Sequence, residues 1–325
     1  MTQPAKRTTS ADVARAAGVS RTTVSFVLND RPGQTIPEDT RRRVLEAARR
    51  LDYRPHASAR ALAAGRSDIV LLSVPDLPIG QSIGRFVEEL ASALAVRGLT
   101  LVTHLAGAHG RPLPDVCATL SASAVTSLDS IDDDTAEALC RAGADVVLPR
   151  GASDDVGMRA VGRLQAEHLV ARGHRRLGYA LPPDPALQPM AESRLLGAAT
   201  ACAQAGVAAP VVLETPLEAA DAARAVAGWR AQSVTGVCAF NDETATAVLS
   251  GLRRHGLTAP GDLAVVGADD IPTARLTDPP LTTVAFDLRA AGRHRAEVIA
   301  AALEGREPHL PDAWQGPQLV VRSSA

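Results

Sequence analysis

Across residues 20–29 the side chains of Arg21, Thr22, Ser25, Phe26 and Asn29 fall on one face of a helix, while Val24, Val27 and Leu28 fall on the other. The outward face holds no nucleophile paired with a base. It offers hydroxyls, an amide and a guanidinium on short arms, the donors and acceptors that suit base edges in a duplex major groove. Ser20 stands where this helix wants an N-cap. Just upstream, Val13, Ala14 and Ala17 form a narrow apolar stripe, Asp12 and Arg15 face away from it, and Gly18 permits a tight turn between two short helices. Such a pair is either an ordinary helical hairpin on a protein surface or a helix-turn-helix.

Charge favours the second. Residues 1–66 hold one Lys and 12 Arg against six acids, a net of +7, whereas the whole chain carries −2. The rest of the chain is therefore acidic, the asymmetry of a polyanion-binding head on a solvated body. A third helix is expected to enter at Thr35-Ile36-Pro37-Glu38, where Thr35 and Glu38 have capping-box spacing and Pro37 is tolerated in the first turn. Its apolar stripe is Val44, Ala47, Ala48 and Leu51. Arg41, Arg42, Arg43, Arg49 and Arg50 surround that stripe, some solvated and others placed to meet phosphates, contacts that add salt-dependent affinity without sequence information. After Tyr53-Arg54-Pro55, the alanine-rich run from His56 to Gly65 is too short and too poor in large apolar groups for a stable isolated helix. It should order only against a partner.

Residues 9–66 resemble the DNA-binding head of the lactose-repressor (LacI/GalR) family of bacterial transcription regulators. The likeness runs through Asp12-Val13-Ala14, Ala17-Gly18-Val19-Ser20, Thr23-Val24-Ser25, Val27-Leu28-Asn29, Thr40-Arg41, Tyr53-Arg54-Pro55, Ala59 and Leu62-Ala63. The resemblance implies that Arg21, Thr22 and Phe26 occupy the main base-reading positions, within a DNA-contacting set of Ser20, Arg21, Thr22, Thr23, Ser25, Phe26, Asn29, Tyr53, His56, Ala59 and Leu62. It further implies that His56 to Ala64 form a hinge helix, ordered when two subunits meet on an operator, with Leu62 from each wedged into the minor groove at the central step. Such a wedge unstacks a flexible step, a cost offset by extra contacts. Two features depart from the pattern. His56 replaces the usual Asn, and Phe26 can touch thymine methyls but cannot hydrogen-bond guanine.

From Ile69 onward, short β-branched runs alternate with amphipathic helical segments, an α/β pattern. Candidate strands are 69–74, 99–103, 124–128, 144–148, 176–180, 211–214, 236–240, 263–267, 282–286 and 318–322, with a helix over 83–97 between the first two. Length alone allows one or two domains here. The resemblance implies an all-α helix-turn-helix head on a body of two Rossmann-like lobes of the periplasmic-binding-protein type, crossed by the chain near Arg172, Val284 and Pro311. The expected division is 1–55 for the head, 56–66 for hinge helix and linker, and 67–325 for an effector-binding and dimerisation domain.

Ligands of open parallel sheets bind at the carboxyl ends of strands. Polar sites just beyond the candidate strands therefore stand out, and by resemblance Arg194, Asn241 or Asp242, and Asp269 would hydrogen-bond an effector. A lone Asp after a strand is as readily a helix N-cap, an open alternative for Asp242. Where the family usually places an Asn-Pro-aromatic-aromatic run, this chain has Pro78-Ile79-Gly80-Gln81-Ser82-Ile83. Where it usually has a second pocket carboxylate the chain has Ala160, with Asp154 and Asp155 nearby. Sugar sites lean on aromatic faces, and only eight aromatic residues are present, so the ligand is open: a sugar, another metabolite, or none.

Other chemistry is not encoded. The single Lys excludes a Walker lysine, and neither a Gly-x-Gly-x-x-Gly run nor a Gly-x-Ser-x-Gly elbow occurs. Cys117, Cys140, Cys202 and Cys238 lack Cys-x-x-Cys spacing and read as free thiols of a reducing compartment, and the histidines show no paired ligand spacing. No cofactor, metal or membrane partner is expected. With neither a secretory leader nor a long uncharged apolar run, the expected location is the cytoplasm, and the absence of heptads after Val321 argues against a C-terminal coiled-coil tetramer. Three functions are weighed: a homodimeric, operator-binding regulator, most readily a repressor, controlled by a cleft ligand; a ligand-independent DNA-binding regulator with a vestigial cleft; and an enzyme or solute-binding protein using the α/β body, which the head disfavours.

Overall fold

The computed structural model describes residues 8–28, 36–53, 66–76, 79–106, 110–150, 156–309 and 316–325. The chain divides into two compact units, Met1–Asp68 and Ile69–Ala325, each with its own core.

In the first unit, α1 (Ser10–Ala17) opens with a capping box. The Thr9 hydroxyl accepts from the Asp12 amide at 3.4 Å, and the Thr9 amide donates to the Asp12 carboxylate at 3.0 Å, so two otherwise unpaired donors are satisfied. Gly18 closes the helix at φ 66°, a left-handed conformation costly for other residues. α2 (Arg21–Leu28) and α3 (Glu38–Arg50) pack on α1 around Val13, Ala14, Ala17, Val24, Val27, Val44, Ala47 and Ala48. Leu51 and Tyr53 close the edge of this core. One expectation is corrected here: α3 starts at Glu38 with Pro37 in the cap position and no side-chain cap, so Glu38 is the first helical residue and not the third. Thr35 lies outside the described residues. Glu38 and Asp39 supply negative charge to the first turn, which complements the helix dipole.

The second unit holds two sheets. β1 (Ile69–Val74), β2 (Thr100–Leu105), β3 (Ala124–Ile131) and β4 (Val146–Arg150) form an all-parallel sheet in the order β2-β1-β3-β4. β5 (Leu177–Leu181), β6 (Val211–Glu214), β7 (Gly236–Ala239), β8 (Ala264–Ala268), β9 (Thr282–Ala285) and β10 (Gln318–Val320) form a second in the order β10-β9-β8-β7-β5-β6, antiparallel only between β9 and β10. Every strand expected from the sequence is present, with ends shifted by a few residues. Alternate residues of β1 feed opposite cores, Val70, Leu72 and Val74 on one side and Leu71 on the other, which is why the strand reads as a continuous apolar run.

The helices of this unit are α4 (Gln81–Ala95), α5 (Leu113–Leu120), α6 (Asp133–Arg141), α7 (Val156–Ala171), α8 (Gln188–Gln204), α9 (Ala219–Ala231), α10 (Asp242–Arg254) and α11 (Leu288–Glu304). α11 packs against α4 and β4, and β10 pairs with β9, so the chain leaves the second sheet after Ala285, as expected, and has returned to it by Gln318; the crossing expected near Pro311 lies outside the described residues. The first crossing is not near Arg172. α7 already packs on α8 and on β7, β8, β9 and β10, so the chain has reached the second sheet by α7.

α7 and α8 touch backbone to backbone. A Cβ on Gly162 would lie 1.7 Å from the carbonyl oxygen of Arg194, and one on Gly197 would lie 1.9 Å from that of Arg159. In an unconstrained helix Gly→Ala stabilises by about 1 kcal/mol. Here Gly162→Ala and Gly197→Ala should each destabilise by about 1–3 kcal/mol in urea unfolding, because the helices must separate. An unchanged or higher midpoint would contradict the close crossing.

Candidate functional site

On the first unit, Ser20 caps α2: its hydroxyl accepts from the Thr23 amide at 3.0 Å and meets the Thr23 hydroxyl at 2.8 Å. These two residues therefore bond each other. Val24 and Val27 anchor the inner face, while Arg21, Thr22 and Ser25 are exposed and Phe26 is half-buried beside them. The base-reading face expected from the sequence is thus presented as one surface. Tyr53 differs from the rest of its set, since its ring packs against the head's core. Asn29, His56, Ala59 and Leu62 lie outside the described residues. On α3, Arg42 donates to Asp39 at 2.5 Å and Arg43 approaches the same carboxylate at 3.6 Å, exposed pairs that hold their cations only weakly. Arg49 and Arg50 are exposed.

In the second unit a cleft of about 330 Å³ opens at the carboxyl ends of strands, a volume suited to a small molecule. Leu128 and Asp129 of β3, Phe240 and Asn241 after β7, Asp269 after β8 and Phe286 after β9 line it, together with Phe86 of α4, Met158 of α7, Met190 and Arg194 of α8, and Arg295 of α11. The four residues expected at an effector site, Arg194, Asn241, Asp242 and Asp269, all line this one cavity. Three of the chain's four phenylalanines line it too, so the aromatic shortage of the sequence does not extend to the cleft. The sequence does not gather these rings, and the one local signal is the position of Phe240 and Phe286 directly after strands.

Arg194 sits inside α8 rather than beyond a strand, and is 3% exposed. Its Nη1 donates to the Phe240 carbonyl and its Nη2 donates to Asp269 at 3.2 Å, while its cation lies 4.8 Å from the Phe240 ring centre. Its Nε is buried with no partner among the described residues. Asp269 and Asp270 both have left-handed backbones, at φ 101° and 45°. Such conformations cost about 1–3 kcal/mol each. The Asp269 amide donates to Val284 at 2.7 Å, and Arg322 holds Asp270 at 2.5 Å, which keep the turn in place.

The open question over Asp242 is resolved against the cap. Asn241 caps α10, its oxygen accepting from the Thr244 amide and hydroxyl, each at 2.8 Å. Asp242 is buried instead, accepting from the Ile271 amide at 2.9 Å and the Thr283 hydroxyl at 2.5 Å. Burial pushes its carboxyl up to about 7 against those two bonds, and the charges of Asp269 and Asp270 push the same way. Two positioning residues also escaped the sequence. Gln165, fully buried, donates to the carbonyls of Ala239 at 2.8 Å, Val266 at 3.2 Å and Gly267 at 2.9 Å, tying the ends of β7 and β8 together. Arg295 donates to the Thr126 hydroxyl at 2.7 Å and the Ser127 carbonyl at 3.0 Å, fixing the middle of β3 where its pairing with β4 shifts register.

Elsewhere, Cys117, Cys202 and Cys238 are buried, Cys140 is exposed, and none is in a disulfide. His174 meets the Thr235 hydroxyl at 2.9 Å, and burial lowers its pKa. Among the described residues no cluster of three His, Cys, Asp or Glu side chains could hold a metal, and no helix is long and apolar enough to cross a membrane.

The Asp242 carboxyl gives a pH signature. An unfolded Asp takes its proton near pH 4, whereas this one takes it near 7 when folded. The folded state therefore binds more protons over that window, and stability should fall as pH rises from about 4 to about 7. Asp242→Asn keeps one acceptor for Ile271 and one donor for Thr283, and should remove this component of the slope. Urea midpoints at about pH 5 and about pH 8 should lie closer together in the variant, and an undiminished gap would show that the group titrates normally.

A profile of bacterial regulatory proteins of the lacI family matches residues 9–56, one of a periplasmic binding protein-like domain matches 166–325, and one of a Rossmann-like domain matches 40–128. The transcriptional regulator GalR of Escherichia coli is 30% identical over 332 residues, spanning 96% of this chain and 94% of that protein. MalR of Streptomyces coelicolor is 31% identical over 352 residues, spanning 97% and 95%. Among solved structures, the lac repressor dimer bound to operator and the anti-inducer ONPF superposes with a TM-score of 0.78 at 25% identity, covering 98% of this chain and 99% of that one. The transcriptional regulator CelR in complex with cellobiose gives 0.64 at 26%, covering 98% and 100%. The chain belongs to the LacI family of bacterial transcriptional regulators.

Proposed function

We propose that this regulator is a repressor that binds a pseudo-palindromic operator as a homodimer in the cytoplasm, and that a small molecule in the cleft of the second unit modulates its grip on DNA. The observation that carries the reading is the face of α2: Arg21, Thr22 and Ser25 exposed with Phe26 beside them, on a helix capped by Ser20 and anchored by Val24 and Val27. The lac repressor neighbour, a dimer on operator DNA, supports both the partner and the stoichiometry. In this reading residues 1–55 are the head, 56–66 the hinge and linker, and 67–325 the effector and dimerisation domain. Ser20 and Thr23 set the start of the reading helix, and Arg21, Thr22, Ser25, Phe26 and Asn29 face bases. Tyr53, His56 and Ala59 contact the duplex, with Leu62 as the minor-groove wedge.

Control requires that the ligand bind one state better than the other. Arg194, Asn241, Asp242 and Asp269 are the proposed ligand-end residues, with Asp242 acting through the turn it braces. Strained backbone gathers at ligand sites, and two left-handed aspartates at a strand end lining this cleft favour a ligand over the ligand-independent alternative. The relatives are regulators rather than enzymes, and we assign this chain no reaction.

Arg21→Ala should cost about 1–3 kcal/mol on the operator and relax preference at one position per half-site. Arg49→Ala should mainly flatten the salt dependence. Quantitative gel shifts on operator and random duplexes separate the two. Equal losses on both duplexes for both variants would remove the base-reading assignment.

A further inference from the structure

Resting on the reading of the cleft as an effector site, we propose that its wall carries a proton-operated latch: with a proton on Asp242 the Asp269–Asp270 turn is closed and Asp269 is held on Arg194, and loss of that proton opens the turn. Falling pH and a ligand that needs the assembled wall then favour the same state.

Three carboxylates meet at this turn, and only two are compensated. Arg194 pairs with Asp269 at 3.2 Å, and Arg322 and Arg275 reach Asp270 at 2.5 and 3.5 Å. Asp242 is 1% exposed, and among the described residues no cation bonds to it. Its other charged neighbours do not change that. On its own helix, Glu243 is exposed and accepts from Asn241 at 3.3 Å, and Arg253 and Arg254 lie at the far end. The strands packed on α10 add Tyr179 of β5 and Cys238 of β7, both kept neutral by burial. α9 adds Asp221, paired with Arg224, and the exposed Arg230.

An ionised Asp242 is therefore a buried charge beside like charges, which water would relieve. The cover over it is strained. Ile271 closes off one carboxylate oxygen through its amide at 2.9 Å, directly beyond two left-handed residues at φ 101° and 45°. Opening there wets the carboxylate and releases backbone strain, whereas Thr283, on the other oxygen, sits on β9 between β8 and β10. The same movement takes Asp269 off Arg194 and so unmakes one cleft wall. With the carboxyl raised by burial to about 7, the latch works across the neutral range.

Hydrogen exchange read by mass spectrometry tests this on the full chain from about pH 5 to about pH 8, with the intrinsic exchange rate at each pH divided out. A carboxyl that titrates near 7 when covered and near 4 when wetted makes the opening equilibrium rise about tenfold between about pH 6 and about pH 8. Peptides spanning Gly267–Ala274 should show that rise, and peptides of β1 and β3 should not. Asp242→Asn should abolish it. Thr283→Val keeps the shape but removes a hydrogen bond to the ionised form, and should move the rise to higher pH. A flat wild-type profile overturns the proposal, as does a rise that survives in Asp242→Asn or one shared equally by the first sheet, the mark of global unfolding. The regulator reading fails separately: discrete operator binding with a flat profile leaves a regulator without this latch, and absence of discrete binding overturns the regulator whatever the exchange shows.

Discussion

Arg194 is 3% exposed, and a charge so deeply buried is tolerable only where its surroundings replace water. Asp269 supplies the countercharge, the Phe240 carbonyl an acceptor and the Phe240 ring a polarisable face. Each of those partners depends on something further away. Asp269 reaches Arg194 because its backbone is left-handed, and Phe240 and Asp269 follow strands whose ends Gln165 ties together. Arg194 itself is set in depth by the Gly162 and Gly197 crossing. Removing one partner of such a buried pair leaves an uncompensated charge, a loss of about 3–5 kcal/mol. One ion pair therefore couples two helices, two strand ends and a strained turn into one ligand-sized wall.

Beside it, Asp242 does a different kind of work. A Cβ on Gly267 would fall 2.2 Å from its carboxylate, so the carboxyl is packed against the strand before Asp269 as well as bonded to Ile271 and Thr283 beyond it. It braces both sides of the Asp269–Asp270 turn. The other side of the cleft is fixed separately, by Arg295 on the middle of β3. Two walls with independent supports are what a ligand needs if its binding is to change their separation.

The described helices of the head are legible in the sequence, because their determinants are local: the Ser20 cap, the Gly18 left-handed turn and the 3.6-residue stripe of Val13, Ala14 and Ala17 need no distant partner. The strands were legible because β-branched runs between polar breaks have few other uses. What escaped was set by tertiary contacts. The capping-box spacing at Thr35 and Glu38 competes with Pro37, whose φ of −54° and missing N–H suit the cap position where α3 now begins. The stripe of α7 has the same period whichever sheet it packs on, so the first crossing was misplaced. Asn241 and Asp242 are equally good caps by type, and only the depth of Thr283 and Ile271 decides between them. The gathering of Phe86, Phe240 and Phe286 joins a helix packed on the first sheet to two strand ends of the second, which no local pattern encodes.

The central claim is that α2 reads sequence in duplex DNA on behalf of a two-subunit regulator. It is tested most directly by mapping the genomic sites bound by the tagged protein and footprinting the strongest. The account predicts a short inverted repeat with matched protection on its two halves. Uniform, sequence-independent occupancy with no shared repeat would contradict it.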